Sequence, residues 1–376
     1  MDDPEPSSST VDRRPAKRAR SETVSPPGGD IPASPSSELT ISAPSEGFVR
    51  DQEFWFADGS LVLNVQGTAF RVYRDLLSKQ SPVLHDLLSS LHLSPNGGCD
   101  GTPVAVLTDS PHDWRHLLPL LLPTSTIISR TTFKIQDDFT MLSAWLRLSH
   151  KYKIANVMTF AIAALKTVYS DDYDSWTDTD RSVCGTWARP GERKVIDRGK
   201  VATKRSRLLS QAIVAINFAR LLNIPSILPA AFYHCACLGG AIVKGYAHDD
   251  GTTEYLSDED VARCINGMQD LAFATADYVL PLVKHLPEHH GCQKGGACRP
   301  LWKNSVLDLL SSSNCRAVLG NLALRGVLET FPALSALCDI CKRGAGGCME
   351  ARRKIVWQGL PKTFDIVDPV GVWPKS

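Results

Sequence analysis

The chain has 376 residues, with 41 Lys+Arg against 40 Asp+Glu, and is 43% hydrophobic and 22% charged. That length suits two domains, or one domain with a long tail, and the composition is enough to bury a core. Near-neutral charge excludes a chain-wide nucleic-acid surface, which needs a concentrated excess of Lys and Arg.

The opening MDDPEPSSST has no apolar h-region, which argues against a secretory signal. The least polar long stretch, 227–243, falls short of the ~20 residues that a membrane-spanning helix needs. It also contains Pro229, His234, Gly239 and Gly240, so a buried helix is expected there. An intracellular protein of the nucleus or cytoplasm, with no membrane partner, follows as the expectation. Eleven cysteines, an odd number, fit poorly with a fully paired disulfide set and point to reduced thiols.

Residues 1–47 are rich in Ser, Pro and charge and are expected to be disordered, because they bury too little apolar surface to offset ordering entropy. Within them Arg13, Arg14, Lys17, Arg18 and Arg20 place five cations in eight residues. This is the pattern of a nuclear localisation signal, although a solvated charge run has the same composition.

Order is predicted from about Phe48. Alternation through Leu61, Leu63 and Val65, then Phe70 and Val72, across Gly67-Thr68 predicts a β-hairpin. Leu76, Leu77, Val83, Leu84, Leu87, Leu88 and Leu91 fall at helical spacing, with Ser81-Pro82 opening a second helix. Residues 103–107 read as a short buried strand. Asp113 is the expected cap of a helix carrying Trp114, Leu117 and Leu118 and ending near Pro119. Two more helices are expected over 138–168.

Residues 171–206 begin acidic and end basic and read as a charged linker or insertion. Its basic end has no interleaved aromatics on which bases could stack, which argues against nucleic-acid binding. Helical spacing resumes with Leu209, Ile213, Ile216 and Arg220 on one face, stopped at Pro225. A further helix is expected over 228–243. Another begins at Ser257, with Asp260 three residues on, and carries Val261, Cys264 and Ile265.

No phosphate-binding loop, nucleophile elbow or HExxH zinc helix is present in the sequence. In His234-Cys235-Ala236-Cys237 the two cysteines would point in nearly opposite directions on a helix, so buried core thiols are expected. The C-terminal cysteines are different. Cys338-x-x-Cys341 can donate two thiolates to a tetrahedral zinc, and Cys292 with Cys298, or the nearby His289 or His290, could complete it. Free thiols in a loop, with Cys348 among them, and a redox C-x-x-C remain open as alternatives.

The stretch from Asp58-Gly59-Ser60-Leu61-Val62-Leu63 through Phe70-Arg71-Val72-Tyr73 to Ser81-Pro82-Val83-Leu84 resembles the start of a BTB/POZ domain. Tyr73 stands where that family usually has His, and Leu84 where it often has Phe. Val104-Ala105-Val106-Leu107 with Asp113-Trp114 resembles the next strand and helix, and Ser149-His150-Lys151-Tyr152-Lys153-Ile154 a later turn. The resemblance covers about 50–170. Ile224-Pro225, Cys338-Asp339-Ile340-Cys341 and Trp357-Gln358-Gly359-Leu360-Pro361 resemble the C-terminal region of fungal BTB proteins more loosely.

The fold class expected is α+β: a BTB/POZ domain at 48–170, with a short sheet covered by helices, followed by a mainly helical region at 207–376 with a cysteine-rich segment. The resemblance implies a non-enzymatic interaction protein. It acts either as a self-associating scaffold, such as a homodimer, or as an adaptor for a cullin-type ubiquitin ligase. A redox or other enzyme centred on the C-x-x-C, and a nuclear, transcription-related or nucleic-acid-binding protein, are the rivals.

Overall fold

The computed structural model describes residues 47–90, 99–122, 139–176, 198–284, 291–311, 336–367 and 373–374. The N-terminal tail with its basic run, Arg13 to Arg20, lies outside them, as do His289, His290 and residues 177–197.

The first part is a four-stranded sheet with helices. Strands β1 (Val49–Trp55), β2 (Leu61–Val65), β3 (Thr68–Val72) and β4 (Val104–Leu107) lie in the order β1-β3-β2-β4. The expected hairpin is β2–β3, antiparallel, with Leu63 opposite Phe70. Gln66 and Gly67 form its turn, both at positive φ (45° and 84°), a geometry whose twist matches that of the flanking strands. Strand β4 joins parallel to β2, and β1 runs parallel to β3. Leu61, Val62, Leu63 and Val65 are all fully buried. Strand β2 is therefore covered on both faces, not on the single face that alternation suggests, because it is a central strand of the sheet.

Helices α1 (Arg74–Gln80) and α2 (Pro82–Ser89) follow the hairpin. The Ser81 hydroxyl accepts the Leu84 N–H at 2.9 Å and donates to the carbonyl of Tyr152. One side chain thus caps α2 and ties it to a later segment. Helix α3 (Pro111–Leu121) is capped by Ser110, not by Asp113, and continues through Pro119. Asp113 instead takes both arms of Arg147, at 2.9 Å each, from α4 (Phe139–Lys151). Pro119 removes one backbone donor, but burial of Leu117, Leu118 and Leu121 holds the last turn. Helix α5 (Ala155–Val168) packs on α4.

The second part is helical: α6 (Arg198–Leu221), α7 (Leu228–Ala236), a two-stranded hairpin of β5 (Tyr246–Ala247) and β6 (Thr253–Glu254), α8 (Asp258–Lys284), α9 (Cys298–Ser311) and α10 (Asp339–Thr363). Two boundaries differ from those expected. Residues 198–206, assigned to the charged linker, belong to α6, since Lys and Arg are good helix formers whatever their charge. Helix α7 ends at Ala236 instead of reaching Val243: Gly239, at φ +57°, turns the chain into a 3-10 stretch. Of the residues expected on α8, Cys264 is fully buried and Ile265 beside it is exposed. The Ser257 cap is as expected, its hydroxyl accepting the Asp260 N–H at 3.2 Å.

The two parts meet through side chains. Phe139 rests edge-on against Tyr246, and Thr140 donates to Asp249 at 2.9 Å. Beyond α5, Tyr169, Tyr173 and Trp176 are buried against His234 of α7 and Trp357 of α10.

Candidate metal centre

Four cysteines expected to be ligands converge. The Sγ atoms of Cys292, Cys298, Cys338 and Cys341 all lie within 4.8 Å of one another. A tetrahedron with Zn–S bonds of ~2.3 Å has edges of ~3.8 Å, so the cluster is within about an ångström of binding geometry. Cys298, Cys338 and Cys341 are buried and Cys292 is half-buried.

Local backbone explains the convergence. Cys292 sits in the turn before α9, closed by Gly295 N–H on the Cys292 carbonyl at 3.3 Å and Ala297 N–H on Lys294 at 3.0 Å. Cys298 is the first residue of α9. Cys338 is extended and caps α10, and Cys341 follows one turn into that helix. The Lys294 ammonium donates to the Ala336 carbonyl at 2.8 Å, holding the two segments together.

The backbone around the cluster is arranged for thiolates. Cys292 Sγ accepts the N–H groups of Lys294 and Gly296. Cys338 Sγ accepts those of Cys341 and Gln293, and Cys298 Sγ accepts the Cys338 N–H at 3.3 Å. Helices α9 and α10 both begin here, so the positive ends of two helix dipoles face the sulfurs. Amide donation, chiefly from Cys341, lowers the Cys338 thiol to about 6. Burial, then the adjoining thiols, pushes Cys341 up to about 12. Four thiolates this close repel one another, and a divalent cation bound among them removes that conflict. The donor set is soft, four-fold and compact, which fits a tetrahedral thiophilic metal.

The remaining candidates do not join the site. Cys348 is half-buried two turns further along α10. Cys235 and Cys264 are fully buried, with their thiols in contact between α7 and α8, and burial raises Cys235 well above the usual thiol range. The sequence reading had no sign of a second feature, a cleft of about 440 Å³ where Arg147 and Lys151 face the β5–β6 hairpin. Its polar groups are already engaged: Lys151 with Asp109 at 2.6 Å, Arg147 with Asp113, and the His248 ring with Glu254 at 3.0 Å. Among the described residues no helix is long and apolar enough to cross a membrane.

Comparison with family models, curated proteins and solved structures finds no match to this chain.

Proposed function

We propose that the chain is a non-enzymatic protein-interaction protein. Residues 48–170 act as a binding module of the BTB/POZ type, and Cys292, Cys298, Cys338 and Cys341 hold a structural zinc in the helical region. The observation that carries the first half is the order of elements over 49–168. A β2–β3 hairpin leads into the α1–α2 pair, then into β4, which returns parallel to β2, and then into α3, α4 and α5. That is the order implied by the motifs from Asp58 to Ile154. Support for zinc comes from the compact thiol set and its five amide donors.

Two roles follow from the BTB/POZ reading, a self-associating scaffold and an adaptor for a cullin-type ligase. Affinity capture of the full chain with mass-spectrometric identification, and light-scattering mass on the same preparation, separates them. A co-purifying cullin identifies the adaptor, and a homodimer without cullin identifies the scaffold. A monomer that recovers no protein overturns the reading.

Burial disfavours a redox role for Cys338 and Cys341. The two are only 5% and 3% exposed and share their surroundings with two further thiols, which restricts the approach of a disulfide-exchange partner.

A further inference from the structure

Helix α10 has two parts of opposite character. From Trp357 onward it is held by packing: Trp357, Leu360 and Phe364 are buried, and the Phe364 ring stacks on Phe232 at 5.5 Å. Between this clamp and the metal ligands runs Gly344-Ala345-Gly346-Gly347. Glycine propagates a helix several-fold less well than alanine. A Cβ built at Gly346 or Gly347 would meet nothing within 4 Å, so no close approach of a neighbour requires glycine at either position.

The head of the helix buries few apolar side chains among the described residues. Besides the cysteines, the buried side chains described over 291–311 and 336–348 are Trp302, Leu337 and Ala345. A staple at the sulfurs would offset part of the entropy of ordering segments with so small a described apolar cluster. A metal at the four sulfurs would fix the first turns of α9 and α10 together, and the first turn is the costly step of helix formation.

We infer that the metal is the folding nucleus of this head, so that 291–311 and 336–348 form a unit whose order depends on metal. When the metal leaves, order in α10 stops at the Gly344–Gly347 stretch, while the aromatic clamp from Trp357 to Phe364 stays in place. The inference rests on the zinc reading above and adds that zinc supply switches one end of the molecule without unfolding the rest.

The test uses the full-length protein, with metal content measured first and backbone hydrogen exchange followed with and without a zinc chelator. Chelation is expected to speed exchange across 339–347 at least ~10-fold while 353–364 and 61–72 change less than ~2-fold, because local and global opening are separable. Gly346→Ala/Gly347→Ala should keep the same metal content but reduce that rise several-fold. Equal loss of protection at 339–347 and 353–364 overturns the inference and leaves the zinc reading standing. So does no loss at either segment, or a double variant that behaves as the parent. A chain that takes up no zinc, as purified or on titration, overturns both.

Discussion

The indole of Trp357 stacks on that of Trp176, with ring centroids 4.6 Å apart and planes 29° from parallel. Trp176 lies just beyond α5 and Trp357 in the last third of α10, so this contact joins the sheet-bearing part of the chain to its C-terminal helix. Both are fully buried. Tyr173 meets Trp357 edge-on at 6.0 Å, and Tyr233 meets Trp176 at 5.5 Å.

Trp357→Ala should therefore cost about 3–5 kcal/mol, the range for removing a large buried aromatic. Trp373→Ala, which removes a partly exposed ring from the edge of the same cluster, should cost far less. Urea denaturation of the two variants, followed by circular dichroism, checks the ordering.

At Gly267 of α8 an added Cβ would fall 2.2 Å from the Phe364 ring. Gly267→Ala should destabilise by roughly 1–3 kcal/mol through overpacking, despite alanine's better helix propensity. In a Phe364→Leu background the added penalty should shrink, and a double-mutant cycle on thermal unfolding measures the coupling.

Asp51, at the start of the sheet, is buried, which alone would raise its pKa. The Phe54 N–H, the Arg115 guanidinium at 2.7 Å and the Glu53 N–H outweigh that and hold it below the usual carboxylate value. A carboxyl depressed in the folded state contributes stability above its unfolded pKa, and that contribution is lost as pH falls through the folded value. Asp51→Asn should destabilise at neutral pH and converge on the parent well below the unfolded value of 3.8. Chemical denaturation of both proteins from neutral to strongly acid pH reads the convergence.

Cys298→Ser should abolish stoichiometric zinc and lower the melting temperature, whereas Cys348→Ser should leave both unchanged, since Cys348 lies outside the cluster. Elemental analysis and the thiolate-to-cobalt charge-transfer bands of the cobalt-substituted protein check this.

Much of the local structure was legible because its signals act over a few residues. Ser81-Pro82 marks a helix start that needs only its own hydroxyl and the Leu84 N–H, and Ser257 does the same for Asp260. The β2–β3 hairpin follows from period-two spacing around Gly67. Asp113 misled because several residues near a helix start can serve as its cap, and only the arrival of Arg147 from α4 shows what occupies this one. Residues 198–206 are helical although their charge suggested a linker, because charge runs are common to loops and solvated helices alike.

The metal centre divides in the same way. Residue order alone established that Cys292, Cys298, Cys338 and Cys341 carry soft ligands, with one pair at a spacing that a single helical turn brings together. It left open whether the other pair, some forty residues earlier, would meet them. Packing decided that, by starting α9 and α10 at one point. It likewise decided that Trp176 lies on Trp357, and that α8 has glycine where Phe364 arrives. Strand, helix and cap are set by neighbours within a turn or two. Which segments close on one another depends on the whole chain's balance of burial against loop-closure entropy, and no short window of residues encodes that balance.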